Sequence, residues 1–62
     1  MKYLCPVCEQ YKFEEKGQYE NCEICGWEDD PIQNDDPTFE GGANVMSLNQ
    51  ARKAWKNGEA VI

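Results

Sequence analysis

All four cysteines of the chain fall in its first half, in two Cys-x-x-Cys pairs, Cys5-Pro6-Val7-Cys8 and Cys22-Glu23-Ile24-Cys25, with thirteen residues between them. A short loop of this kind aims both thiols of a pair at one point. Two such loops brought together make four sulfurs converge, the arrangement that takes tetrahedral Zn²⁺ at about 2.3 Å per sulfur. Cys5, Cys8, Cys22 and Cys25 are therefore the expected metal ligands. Gly26 supplies the positive φ that the end of such a loop calls for, and Pro6 stiffens the first loop; Glu9 takes the equivalent place after the first pair and suits it less.

A chain of 62 residues needs such a staple. Ordering it costs on the order of 1.5 kcal/mol per residue, and a core this small offsets that only marginally without a disulfide, a metal or a partner. Leu4, Val7 and Ile24 are the only Leu, Ile or Val residues before position 30, so aromatic residues (Tyr3, Tyr11, Phe13, Tyr19, Trp27, Phe39 and Trp55) must carry much of the core. There is room for one domain, 1–62.

Disulfides or free thiols are the alternative reading of the four cysteines. The opening Met1-Lys2-Tyr3-Leu4-Cys5-Pro6 lacks the apolar region of a signal peptide, and the longest apolar run is far below the roughly 20 residues of a membrane span. A soluble, cytoplasmic protein is the expectation, and in a reducing compartment this spacing points to metal. Six Lys and Arg stand against twelve Asp and Glu, a formal charge of −6, which disfavours nucleic acid as a partner because no surplus of cations is there to displace phosphate counterions. The chain contains no histidine, and with all four sulfurs coordinating the site is closed, whereas a catalytic zinc keeps an open position. Iron in the same four sulfurs, as in rubredoxin, is the competing cofactor, although rubredoxin places its two pairs much further apart.

Along the chain, Tyr11-Lys12-Phe13-Glu14 alternates as a strand, Glu15-Lys16-Gly17-Gln18 turns, and Tyr19-Glu20-Asn21 returns, so residues 1–27 read as a metal hairpin joining the two cysteine loops. Residues 28–46 hold Asp30-Pro31, Asp36-Pro37 and half of the acidic residues, which argues for an extended acidic loop. Residues 47–57 read as a helix. Ser47 is its N-cap, Gln50 completes a capping box, Met46 staples onto Ala51, and Asn57-Gly58 ends it. Leu48, Ala51 and Trp55 form its apolar stripe, and Arg52, Lys53 and Lys56 lie towards the end where cations favour the macrodipole. The fold class that follows is a small metal-stapled α+β domain: a zinc-ribbon or rubredoxin-like hairpin with two Cys-x-x-Cys loops, an acidic loop and one C-terminal helix.

With Cys5-Pro6-Val7-Cys8, Tyr19-Glu20-Asn21-Cys22-Glu23-Ile24-Cys25-Gly26-Trp27-Glu28-Asp29-Asp30-Pro31, Gly41-Gly42-Ala43-Asn44 and Ser47-Leu48-Asn49-Gln50-Ala51-Arg52, the chain resembles the bacterial cysteine-rich CPCC domain family from about residue 4 to residue 56. Val7 stands where the family's name has a cysteine, which suggests that the third cysteine of that motif is dispensable. The resemblance implies a small bacterial domain and brings no activity with it.

The remaining features have plain explanations that weigh against sharper ones. Trp27 reads as core under the metal loop rather than as a docking edge. Asp29, Asp30, Asp35, Asp36 and Glu40 do not have the spacing of a calcium loop and read first as solvated, second as a partner-facing patch. Gly41-Gly42-Ala43-Asn44 lets the chain turn into the Ser47 cap, with Asn44 bonding the loop to itself; no P-loop lysine follows to make it a phosphate site. Ser47 is explained by its capping box and has no histidine to make it a nucleophile. Together these readings favour a non-enzymatic structural-zinc module that meets an unknown protein partner through its acidic surface, with a basic partner as the narrower expectation. A rubredoxin-like iron electron carrier and a thiol-based redox switch are the alternatives.

Overall fold

A computed structural model of the chain describes residues 3–62, so the first two positions of the metal hairpin expected over 1–27 lie outside the described residues. The element order is β1 (Tyr3–Leu4), β2 (Lys12–Phe13), α1 (Pro31–Asp35) and α2 (Leu48–Lys56). Among the described residues no helix is long and apolar enough to cross a membrane.

The strands pair differently from the sequence expectation. Lys12–Phe13 does not pair with Tyr19–Asn21 around the Glu15–Gln18 turn; it pairs antiparallel with β1, Tyr3 opposite Phe13 and Leu4 opposite Lys12, so that the first cysteine loop is itself the hairpin turn. The return segment pairs around the second cysteine loop instead, through a bridge between Asn21 and Glu28. Tyr19 has a φ of 59°, outside the extended region a ladder requires, which breaks the strand that the alternation suggested.

Residues 28–46 are not one extended loop. Asp30 caps α1, its side chain accepting from the N–H groups of Ile32 and Gln33, and Pro31 sits in the first turn of the helix. The residue before a proline is pushed to extended backbone, which is also the conformation an N-cap needs, so Asp30-Pro31 starts a helix where it seemed only to break one. Nor is the whole cluster solvated: Asp29 is fully buried and Asp30 nearly so. Asp29 accepts from the Tyr3 hydroxyl, from Asn34 Nδ2 at 2.6 Å and from the Gly17 N–H at 2.6 Å. Asp30 Oδ2 accepts from the Ala43 N–H at 2.9 Å. Both carboxylates tie distant loops together.

Helix α2 matches its expected limits, with Ser47 as N-cap, Asn57 as C-cap and the Ser47–Gln50 capping box formed in both directions. Its buried stripe is Leu48, Ala51 and Ala54, while Trp55 is only half-buried; Arg52 lies one turn before the C-terminal end and leaves the macrodipole to Lys53 and Lys56. The core gathers the sulfurs with Val7, Phe13, Trp27, Leu48 and Ala51. Tyr3 packs on Phe13 at a tilt and Tyr11 meets it edge-to-face, with ring centroids 5.4 and 5.5 Å away. Trp27 is fully buried, as the sequence suggested, and its indole N–H donates to Asn34 Oδ1.

Candidate metal centre

The two cysteine loops are built alike. In the first, the Glu9 N–H donates to the Cys5 carbonyl at 2.9 Å; in the second, the Gly26 N–H donates to the Cys22 carbonyl at 2.9 Å. Each loop is then closed at its base, Cys5 N–H to the Tyr11 carbonyl and Cys22 N–H to the Trp27 carbonyl, both at 2.8 Å. The first loop carries one residue more before that closure. The residue after the second cysteine is left-handed in both, with φ of 57° at Glu9 and 92° at Gly26. Glu9 thus occupies the position that the second loop fills with glycine, at the steric cost an L side chain incurs there.

Within each loop, backbone N–H groups point at the first sulfur. Val7 N–H lies 3.5 Å from Cys5 Sγ; Ile24 and Cys25 N–H each lie 3.4 Å from Cys22 Sγ. Such donors stabilise a thiolate in a buried place.

Facing each other, the loops bring Cys5, Cys8, Cys22 and Cys25 together with all four Sγ atoms within 4.8 Å of one another. Cys5 and Cys25 are 3.6 Å apart across the loops, and so are Cys8 and Cys22. A tetrahedron with metal–sulfur bonds near 2.3 Å has edges of about 3.8 Å, so the cage has the size that a four-coordinate ion takes. All four side chains are free thiols, three buried and Cys25 half-buried. The donor set fits a metal ion that prefers soft ligands.

Burial pushes the Cys5 thiol up to about 11, against the N–H groups of Cys8 and Val7, which pull it down. Cys25 is also raised, by burial first, with the neighbouring Cys22 and Cys5 thiols adding to it against the N–H of Trp27. For Cys22, burial again acts upward, but the N–H groups of Cys25 and Ile24, helped by the Cys25 and Cys8 thiols, outweigh it and hold Cys22 below the ordinary thiol value. Of these three thiols Cys22 ionises first, and the others need a cation to take their protons' place.

The acidic segment serves this centre as scaffold. Gln33, fully buried, takes the N–H of Asn44 at 3.0 Å on its Oε1, and its Nε2 is shared among the carbonyls of Phe39, Asn44 and Met46. Asn44 does not bond the 41–44 turn to itself; it accepts the Glu28 N–H at 2.8 Å and donates to the Glu28 carbonyl at 2.9 Å, just beyond the second cysteine loop. Gly42 lies against this group, where a Cβ would come within 2.6 Å of Asp30 Oδ2 and 2.8 Å of Gln33 Cδ. Sequence reasoning missed Gln33, although Asp30-Pro31-Ile32-Gln33 carries the Asp-x-x-Gln spacing of a capped helix start.

A search of curated proteins found no relative of the chain. The family model described as cysteine-rich CPCC matches residues 3–61, which takes in both cysteine loops, the Asp–Gln–Asn scaffold and α2. The chain belongs to the cysteine-rich CPCC family.

Proposed function

We propose that the chain is a non-enzymatic module with a zinc-ribbon-like build, in which Cys5, Cys8, Cys22 and Cys25 hold one Zn²⁺ that staples the fold. The observation that carries this reading is the four-sulfur cage, with cross-loop separations of 3.6 Å. Four thiolates complete a tetrahedron and leave no position for water or substrate, so the ion holds structure instead of doing chemistry. Its weight in the fold is large, because the fully enclosed part of the core is otherwise Val7, Phe13, Trp27, Leu48 and Ala51 gathered around the sulfurs, with Tyr3, Tyr11, Met46, Trp55 and Val61 only partly buried against them.

Native mass and visible absorption of protein purified without added metal test this reading. The expected result is one zinc per chain and no colour. Iron, with reversible bleaching on reduction, would replace the proposal with electron transfer. Cys22→Ser should lose much of the roughly 10–16 kcal/mol that a structural zinc site supplies and should unfold the chain; a folded Cys22→Ser would show that the metal is not the staple.

The module's surface supports a protein partner of basic character. Glu9, Glu14, Glu15, Glu23, Asp35, Asp36, Glu40 and Glu59 are all exposed, spread over the cysteine loops, the turn between them, the segment that follows them and the stretch after α2. Lys12, Lys16, Arg52, Lys53 and Lys56 are exposed as well, so the acidic groups predominate without excluding cations; a net acidic surface of this kind steers oppositely charged partners and makes association depend on salt. Capture experiments that recover only neutral or acidic proteins would contradict this part of the proposal.

A further inference from the structure

Helix α2 meets the first cysteine loop with a charge as well as with its apolar face. Arg52 Nε donates to the Pro6 carbonyl oxygen at 2.8 Å, across 46 positions of sequence. That carbonyl and the Val7 N–H belong to one peptide group, and the Val7 N–H, 3.5 Å from Cys5 Sγ, is one of the two backbone donors that act on this sulfur, the Cys8 N–H being the other. Cys5 is fully buried, so its sulfur is surrounded by protein dipoles instead of water. An amide is conjugated across O, C and N; a cation held at its oxygen withdraws electron density from its nitrogen and makes the N–H a stronger donor.

We propose that Arg52 is a positioning residue for the metal centre: it polarises the Pro6–Val7 peptide, strengthens the Val7 N–H···S hydrogen bond to Cys5 and so slows release of the bound ion. The inference rests on the metal-binding reading above. Four thiolates around a divalent ion carry a net negative charge, and a hydrogen bond to a charged acceptor is about twice as strong as a neutral one. The guanidinium delivers its effect at the sulfur without occupying the cage. It also latches α2 to the loop, so the helix and the ion hold the same peptide from opposite edges.

The test uses zinc-loaded full-length protein, with Arg52→Met, Arg52→Lys and, as a control that removes a neighbouring exposed charge, Lys53→Met. Zinc transfer to an excess of a chromophoric chelator is followed in time, and the Val7 amide is followed by ¹⁵N-resolved NMR. Arg52→Met should release zinc about three- to tenfold faster, the range expected when one hydrogen bond to the sulfur is weakened, not lost. Its Val7 amide proton should move upfield as the bond to sulfur weakens, Arg52→Lys should restore part of both effects, and Lys53→Met should match the parent. Unchanged release in Arg52→Met overturns the proposal. So does faster release with an unmoved Val7 amide, because the arginine would then act only as a latch. A parent chain that takes up no metal at all removes the metal-binding reading itself, an outcome distinct from either of these.

Discussion

Gln33 and Asn44 answer each other's hydrogen-bonding needs in the buried heart of the 28–46 segment: both the backbone N–H and the Nδ2 of Asn44 donate to Gln33 Oε1, at 3.0 and 2.8 Å, while Gln33 Nε2 donates back to the Asn44 carbonyl at 3.1 Å. Replacing Gln33 by Ala strands these donors together with the carbonyls of Phe39 and Met46. Each buried group left unpaired costs about 1–3 kcal/mol, so Gln33→Ala should lose roughly 3 kcal/mol or more of stability in zinc-loaded protein, read by chemical denaturation. Gln33→Glu should fare no better, because a carboxylate has no N–H for the three carbonyls.

Neighbouring glycines should respond differently for different reasons. At Gly42 a methyl group would collide with Asp30 and Gln33, so Gly42→Ala should cost about 1–3 kcal/mol and disturb the α1 cap. At Gly41 there is open space but a φ of 78°, so Gly41→Ala should cost about 1 kcal/mol through backbone strain alone. Thermal melts of the two variants would rank them; a Gly42→Ala protein as stable as the parent would contradict the packing around Asp30.

Glu9→Gly should stabilise the chain. Its left-handed backbone is one that glycine adopts freely, and relief of about 1–2 kcal/mol is partly offset by glycine's greater loss of chain entropy. The net gain of roughly 0.5–1 kcal/mol should raise the melting temperature of zinc-loaded protein by about 4–8 °C.

Metal affinity should climb with pH. Cys5 is raised to about 11 and Cys25 is raised as well, so both hold protons at neutral pH and must lose them when an ion binds. Protons compete less as pH rises, which strengthens binding by up to about tenfold per pH unit for each proton displaced. Competition titrations against a zinc chelator between about pH 6 and pH 8 should show the rise; a flat profile would mean that the ion displaces no thiol protons.

What could be read in the sequence was what is local. The capping box at Ser47 and Gln50, the two cysteine loops and the left-handed glycine at Gly26 each depend on residues within a few positions of one another, and all are present. The alternation around Lys12 and Phe13 fits either partner; the left-handed backbone at Tyr19 breaks the return strand beyond the short Glu15–Gln18 turn, and β2 pairs across the longer cysteine loop instead. Asp29 and Asp30 carry charges that sequence alone assigns to solvent, yet the N–H groups of Gly17, Ile32 and Ala43 receive them in the interior, an arrangement created only when three separate loops meet. The Arg52–Pro6 contact is likewise a product of the assembled fold.

The two paired strands are each two residues long. An edge that short offers too few backbone donors and acceptors in a row to template another strand, so it gives neither a foothold for cross-β stacking nor a rail for an extended peptide. Recognition at this sheet must therefore be written in side chains, and a chain with a very small apolar core is spared one common route to aggregation.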